Sequence, residues 1–532
     1  MAYRVPLASV VMAARSLARL PSYLRNPTSL PEARATLRRR LERREGNFLA
    51  NVKRSVFEHD VSPYLQLFNL AGCEYGDLES LVRSEGIEGA LVVLWQRGVY
   101  LTVSEFKGRE SAKRGSATIE VSPDLLRNPA AAFHIPVRTG GSRSGGTPVL
   151  MDLEFLRGCG INSYLTLDTR GGAEWSKATW ETPGAGARFR LLKFASFGKP
   201  PVRWFSQVDP AAPGLDSVIR WSERYMRWGS RAAGVPLPGP QHVPLNAPLP
   251  IAHWIREELH AGRVPHVFTF PSSALRLCQS AFEAGIDLAG AQFTVGGEPI
   301  TDARLATINR SGATAVPRYG SIESGPIAYG CLAPSASDDV HLQHDLHALI
   351  QPGGANGIAN PLPANAVFIS SLHERSPFTM LNVSMGDQAT VTKRECGCPL
   401  ERLGWVTHLH NIRSFEKLTG GGMTFLDTDV IRVLEEEMPA RFGGAPTDYQ
   451  LVEEEAGDGQ PRLRLLVHPA IGPLDTNAVA DAFLKAIGSR SPSEQLMEIF
   501  WRDADLFRVE REVPIATTAG KIMHLHLARS NS

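Results

Sequence analysis

Between residues 130 and 400 the chain alternates short apolar runs, bounded by glycine and proline, with segments of helical period. VPHVFTF (264–270) predicts a buried strand, SALRLCQSAFEAG (273–285) a helix closed by a glycine, and GAQFTVGGEP (290–299) the next strand. Repeated, that alternation is α/β layering. Residues 1 to about 130 are expected to be mainly helical, with the polar, arginine-rich RATLRRRLERREGNF (34–48) followed by GALVVLWQRGVYLTV (89–103), an apolar run suited to a buried strand. The proline-rich GVPLPGPQHVPLNAPLP (234–250) predicts a surface excursion.

After residue 412 the pattern changes. DTDVIRVLEEEMP (427–439) predicts a helix with an acidic start, DYQLVEEE (448–455) and RLRLLVHP (462–469) predict alternating strands, and DTNAVADAFLKAIG (475–488) predicts a capped amphipathic helix. The expected organisation is a large α/β domain over residues 1–412 and a small α+β domain over 413–532.

Composition narrows the partners more than the fold. The 532 residues are 43% hydrophobic and 21% charged, with a net charge of +1, which argues against nucleic acid or an anionic membrane as main partner. The apolar run Val5–Ala14 is too short to span a bilayer and suits a first helix packed on the protein. Cysteines at 73, 159, 278, 331, 396 and 398 are too few and too scattered for a disulfide scaffold, so a reducing, cytoplasmic setting is expected.

Five stretches carry candidate chemistry. TGGSRSGGTP (139–148) offers glycine-freed N–H groups and hydroxyls that suit a phosphate cradle, although its composition alone equally fits a turn. It is neither a Walker A loop, lacking GK[ST], nor a nucleophile elbow, since Arg143 stands where a serine is required. FTVGGEPIT (293–301) is a strand ending in a Gly-Gly turn. RYGSIESGP (318–326) sets a ring for stacking, Tyr319, four residues before a carboxylate for a hard cation, Glu323. SMGDQATV (384–391) places Asp387 at a turn, and TTAGKIMHL (517–525) carries Lys521 after a glycine.

In this order the five stretches resemble the adenylate-forming superfamily of acyl-CoA synthetases, peptide-synthetase adenylation domains and luciferases, with the nearest likeness to its phenylacetate–CoA ligase-like branch. The likeness runs from about Gly86 to Lys521 and is most specific in PSSALRLCQSAFEAGIDL, GGEPIT and YGSIESGP. It implies that Ser142, Ser144, Gly145 and Thr147 wrap the β- and γ-phosphates of ATP. Gly296, Gly297 and Glu298 would line the adenine site, with Tyr319 stacked on the base and Gly320 and Ser321 beside it. Glu323 would hold Mg²⁺, Asp387 the ribose, and Arg413 the ribose or phosphate. Lys521 would bridge the substrate carboxylate and the α-phosphate, where two anions meet and preorganised positive charge is needed. The small domain would rotate between two half-reactions about a hinge near Arg413–Lys417, with Glu416 as pivot.

The chain departs from that pattern in three places. Its loop reads TGGSRSGGTPV where SSGTTGKP is commoner. LNVSMGD stands for RTGD, keeping the aspartate without the arginine, and RSFEKLTGGG replaces GRSDD at the hinge.

Cys396 and Cys398 form a Cys-X-Cys pair, and with Cys331 and His341 they make a four-ligand set of the structural-zinc type; His344 and His347 are competing ligands. A buried Cys331 and a plain CGC turn are the alternative. Some phenylacetate–CoA ligase-like proteins have a comparable Cys/His zinc site. Blander expectations cover a packed or surface His134, a packed Trp254, and a solvated helix face for LRRRLERRE (37–45). The implied activity is ATP-dependent activation of a small carboxylic acid, by default aryl or arylacetic, followed by transfer to a thiol, most often coenzyme A. Transfer to an amine or a carrier-protein thiol, and a non-catalytic nucleotide- or acyl-binding role, are the alternatives.

Overall fold

The computed structural model describes residues 18–132, 135–138, 148–181, 183–211, 217–298, 300–353, 362–414, 419–420, 423–424, 427–455, 461–488, 507–517 and 522–528. It is an α/β protein built on one twelve-stranded sheet, with a smaller C-terminal α+β domain.

The large sheet contains, in chain order, β1 (Ser176–Glu181), β2 (Arg203–Ser206), β3 (Pro240–His242), β4 (Pro265–Thr269), β5 (Gln292–Gly296), β6 (Thr314–Ser321), β7 (Gly325–Gly330), β8 (Val340–Leu342), β9 (His347–Ile350), β10 (Ala366–Ser371), β11 (Val383–Lys393) and β12 (Thr407–Ser414). Across the sheet they run β9-β10-β11-β12-β8-β7-β6-β5-β4-β1-β2-β3. The half from β3 to β6 is parallel; from β6 to β9 every pairing is antiparallel.

Of the parallel strands, β4 and β5 are buried on both faces and read as near-continuous apolar runs. One face is covered by α5 (Leu249–His260), α6 (Pro271–Glu283) and α7 (Asp302–Arg310), which pack Trp254, Leu277 and Ile308 against Trp180, Val267 and Phe293. The other is covered by α3 (Leu153–Asp168) and α4 (Ala185–Ala195), with Phe155, Phe189 and Leu192 buried there. Asp152 caps α3 through the Glu154 N–H, and Gly285, at φ +65°, closes α6 where the sequence places its stop.

Three expectations are corrected. The run from Gly89 to Gln96 is not a strand. It completes α2 (Tyr75–Gln96), whose Ala90, Leu91, Leu94 and Trp95 are all buried. The buried positions Ile87, Ala90, Leu91, Leu94 and Trp95 keep the helical period, but the half-buried Val92 and Val93 between them make the run read as one continuous apolar strand. The proline-rich segment is not wholly an excursion either, because Pro240–His242 forms the last strand of the sheet. LRRRLERRE lies largely on α1 (Leu30–Glu42) and is only partly solvated. Its Arg40 reaches the buried Asp345 at 3.3 Å, and Arg44 donates to the carbonyl of His344 at 2.7 Å.

The small domain pairs β13 (Tyr449–Glu455), β14 (Pro461–Val467), β15 (Phe507–Glu510) and β16 (Leu525–Ala528) in the order β15-β14-β13-β16. Helix α8 (Thr476–Gly488) lays Val479, Phe483 and Ile487 over Leu463, Leu465 and Phe507.

Candidate functional site

Parallel pairing brings the carboxyl ends of β1, β4, β5 and β6 to one edge, where open α/β sheets bind ligands. Glu181, Thr269, the Gly296–Gly297–Glu298 turn and Tyr319–Gly320–Ser321 all lie there. Gly296 must be glycine: a Cβ would stand 2.7 Å from the Arg318 carbonyl oxygen, and Gly297 takes φ +86° to make the turn. Glu298 turns inward. Its carboxylate accepts from the Ser272 N–H at 3.0 Å and hydroxyl at 2.9 Å, at the start of α6, and lies 3.3 Å from Arg304.

The hairpin between β6 and β7 is shaped by a register shift at Tyr319/Gly320 and by Ser321, whose hydroxyl accepts the Ser324 N–H at 3.1 Å. A Cβ on Gly320 would sit 2.5 Å from the Gly325 oxygen, so that position is also closed to other residues. Glu323 follows, 4% exposed, and its carboxylate has no hydrogen-bond or ion-pair partner among the described residues. A buried carboxylate in that state suits a bound cation.

Tyr319 and Asp387, 68 residues apart in sequence, are joined directly. The phenol donates to Asp387 Oδ2 at 2.8 Å, and burial together with that neighbouring carboxylate raises the phenol well above its ordinary pKa. Arg413 lies on β12 with its guanidinium 3.0 Å from Asp338 Oδ2. Ser142, Ser144, Gly145, Thr147, Lys521, His134 and the hinge residues Glu416 and Lys417 lie outside the described residues.

Cys331, His341, Cys396 and Cys398 come together with their ligand atoms all within 4.8 Å of one another. His341 Nδ1 is 2.6 Å from the Trp405 carbonyl oxygen, which fixes it as the N–H and turns the Nε2 lone pair toward Cys398 Sγ (3.2 Å) and Cys396 Sγ (3.6 Å). Backbone N–H groups point at two of the sulfurs, Ala333 at Cys331 (3.3 Å) and Cys398 at Cys396 (3.4 Å). Burial opposes ionisation of Cys398, but N–H groups of Leu332, Glu401 and Leu400 and the Cys396 thiol outweigh it and hold this thiol below its usual value. Burial holds His341 neutral, down to about 4. A neutral imidazole and N–H-supported sulfurs are the donor set that zinc takes. His344 and His347 are not in this group; His347 Nε2 faces the Pro326 carbonyl at 2.9 Å instead.

Sequence reasoning missed two neighbourhoods. His408 Nδ1 lies 2.7 Å from Asp339 Oδ1, and its ring stands 4.0 Å from that of His341, so an Asp–His pair abuts the cysteine cluster. The second is a set of cations behind the hairpin, Arg190, Lys193 and Arg318. An arginine one position before Tyr319, within a strand, was the signal for it.

No family model matches the chain, and no curated protein matches it in sequence. Its fold is loosely similar to that of several solved ligases. Over 95% of this chain and 92% of the other, it is 13% identical to a 2-hydroxyisobutyryl-CoA ligase in complex with 2-HIB-AMP and CoA, with a TM-score of 0.46. Over 73% of this chain and 65% of the other, it is 11% identical to an anthranilate CoA ligase in complex with anthranoyl-AMP, with a TM-score of 0.39. An amide bond synthetase from Marinactinospora thermotolerans is 12% identical over 87% of this chain and 92% of its own, with a TM-score of 0.31. Among the described residues, no helix is long and apolar enough to cross a membrane.

Proposed function

We propose that this protein activates a carboxylic acid with ATP as an acyl-adenylate, releases pyrophosphate, and passes the acyl group to a thiol, with coenzyme A as the acceptor. The observation that carries the reading is the 2.8 Å hydrogen bond between Tyr319 and Asp387. The resemblance implies the base as the partner of Tyr319 and the ribose as that of Asp387, and a nucleotide needs the two side by side. The unpartnered Glu323 at the same edge supports the reading, as do the tight glycine turns.

The adenine would lie on Tyr319 against the main chain of Gly296, Gly297 and Glu298, and Asp387 would accept the ribose hydroxyls, with Arg413 nearby. Gly320 and Ser321 would border the α-phosphate. Ser142, Ser144, Gly145 and Thr147 would close over the outer phosphates, and Glu323 would hold Mg²⁺, which neutralises phosphate charge when bound. Lys521 would draw the substrate carboxylate and the α-phosphate together, opposing the charge of two anions in contact. The small domain would then turn to admit the thiol. Zinc held by Cys331, His341, Cys396 and Cys398 would be structural, tying the start of the β7–β8 connection to the turn after β11.

Acid-dependent exchange of pyrophosphate into ATP tests the reading. Exchange that requires an acid and falls by at least about a hundredfold in Lys521→Ala is expected, given the size of a lost charge-stabilising donor. ADP as the acid-dependent product would overturn it.

A further inference from the structure

The ring of Phe268, on β4, has three cations around it. The Arg190 guanidinium lies 3.4 Å from its centroid, and the Arg318 guanidinium and the Lys193 ammonium each lie 5.7 Å away. One carboxylate accompanies them: Glu181, at the end of β1, is held in a two-point ion pair by Arg190. Among the described residues, Lys193 has as hydrogen-bond partner only the Tyr329 hydroxyl, at 3.2 Å, and that hydroxyl is shared with Ser163 at 2.8 Å. Burial pushes the Lys193 ammonium down to about 8, against the pull of the Tyr329 phenol.

Arg318 has less still. Among the described residues its guanidinium makes no hydrogen bond or ion pair, and its Nε is buried without a partner. It is nonetheless aimed. The register shift between Tyr319 and Gly320 breaks simple alternation, but the contacts of Arg318 with Phe268 and its nearness to Cys159 of α3 and Arg190 of α4 put its guanidinium on the face covered by α3 and α4. One terminal nitrogen of Arg318 lies 3.2 Å from where a Cβ on Gly320 would be. The guanidinium therefore reaches along its strand toward the edge where the site is, and Arg318 as a whole is half-buried. Tyr319 points to the opposite face, toward Asp387. The two neighbours thus flank the edge, one on the nucleotide side and one on the side left for the acid.

A largely buried cation with no direct ion-pair partner is costly, and a planar guanidinium is built to take a carboxylate at two points. We infer that the acid this protein activates carries a second anionic group, as in a dicarboxylic acid, and that Arg318 binds that distal group, with Arg190 and Lys193 supplying the surrounding positive field. Arg318 is then a specificity-determining residue. The inference rests on the acid-activation reading. It replaces the apolar pocket that a simple aryl or arylacetic acid would want.

The test is pyrophosphate exchange with paired acids, each an aliphatic or aromatic dicarboxylic acid matched to the analogue bearing a methyl group in place of the distal carboxylate. The wild type should favour the diacid of its best pair by at least tenfold in kcat/KM. That ratio should fall at least tenfold in Arg318→Gln and recover in part in Arg318→Lys, which keeps the charge but loses the two-point geometry. Exchange with the methyl analogues and not with the diacids would overturn the inference while leaving acid activation standing. A ratio unchanged in Arg318→Gln would also overturn it, as would an equal loss with both members of every pair, which would place Arg318 on the reacting carboxylate. Exchange with no acid at all would remove the activation reading and the inference with it.

Discussion

Arg304 of α7 and Glu435 of the small domain meet with Nε 2.6 Å from Oε1, and neither side chain is more than 1% exposed. Thr301, the N-cap of α7, also donates to the Glu435 carboxylate, and His524 Nε2 stands 2.5 Å from Glu435 Oε1 and 3.0 Å from Arg304. The charges join elements more than a hundred residues apart; Arg304 is the main compensation for Glu435, while Arg304 also has Glu298 at 3.3 Å. Breaking such a pair from one side strands the other charge, at a cost of about 3–5 kcal/mol, whereas replacing both with apolar groups is often near neutral. Arg304→Met, which strands Glu435, should therefore lower the unfolding free energy by about that amount in a urea titration, and Glu435→Ala by less, because Arg304 keeps Glu298. The double variant Arg304→Met/Glu435→Leu should recover most of the loss. Equal losses in single and double variants would show that packing, and not stranded charge, sets the cost.

The same carboxylate gives a pH signature. Burial works against its ionisation, but Arg304 first, then His524 and Thr301, hold it down to about 2, from an ordinary value of 4.5. Because the folded pKa is the lower one, the contribution is complete above pH 4.5 and disappears as pH falls toward about 2. The stability gap between wild type and Glu435→Gln should therefore be constant from neutral pH down to 4.5 and narrow below it. A gap that widened on acidification would assign the effect to another group.

Tyr319 and Asp387 are coupled by one hydrogen bond to a charged acceptor, worth about 1.5–3 kcal/mol in a buried setting. Tyr319→Phe keeps the ring for stacking and removes the bond. Its KM for ATP is expected to rise about tenfold, with kcat less affected, whereas Asp387→Ala, which also removes the ribose acceptor, should raise it further. The two changes share one bond, so the double variant should fall short of the product of the singles. Full multiplicativity would sever Tyr319 from Asp387 in function.

How much of this the sequence discloses follows from how local each signal is. β4, α6 and β5 were legible because a strand, a helix with a glycine stop and a second strand each carry their own period within a few residues. The last turns of α2 were not, since the half-buried positions are filled by Val92 and Val93 and Leu91–Trp95 then reads as an unbroken apolar strand. The cysteine cluster was legible in part: the spacing of Cys396 and Cys398 showed the turn, while Asp339 and His408 join it only through the β8–β12 pairing. Arg318 carries no sufficient signal of its own within RYGSIESGP, because an arginine before Tyr319 acquires meaning only once β6 fixes which face it takes. Glu298 likewise gave no sign that its carboxylate would serve the start of α6.

The cysteine cluster yields the last prediction. Three sulfurs and the His341 nitrogen lie within 4.8 Å of one another, in a fold where backbone N–H groups already support the sulfurs. Bringing three thiols and an imidazole this close without a cation leaves them with little to gain, since thiolates repel each other and neutral thiols are weak hydrogen-bond donors. With zinc the same proximity becomes cohesive, because binding free energy then adds to folding free energy. The purified chain should contain about one equivalent of zinc by elemental analysis, the stoichiometry of one closed four-ligand site. Cys398→Ser should lose the metal and unfold at lower temperature. Cys278→Ser provides the control, for Cys278 is buried in α6 beneath a different core and should leave the zinc content unchanged. A wild-type chain free of metal, with stability indifferent to a chelator, would instead make the cluster a packing of reduced thiols.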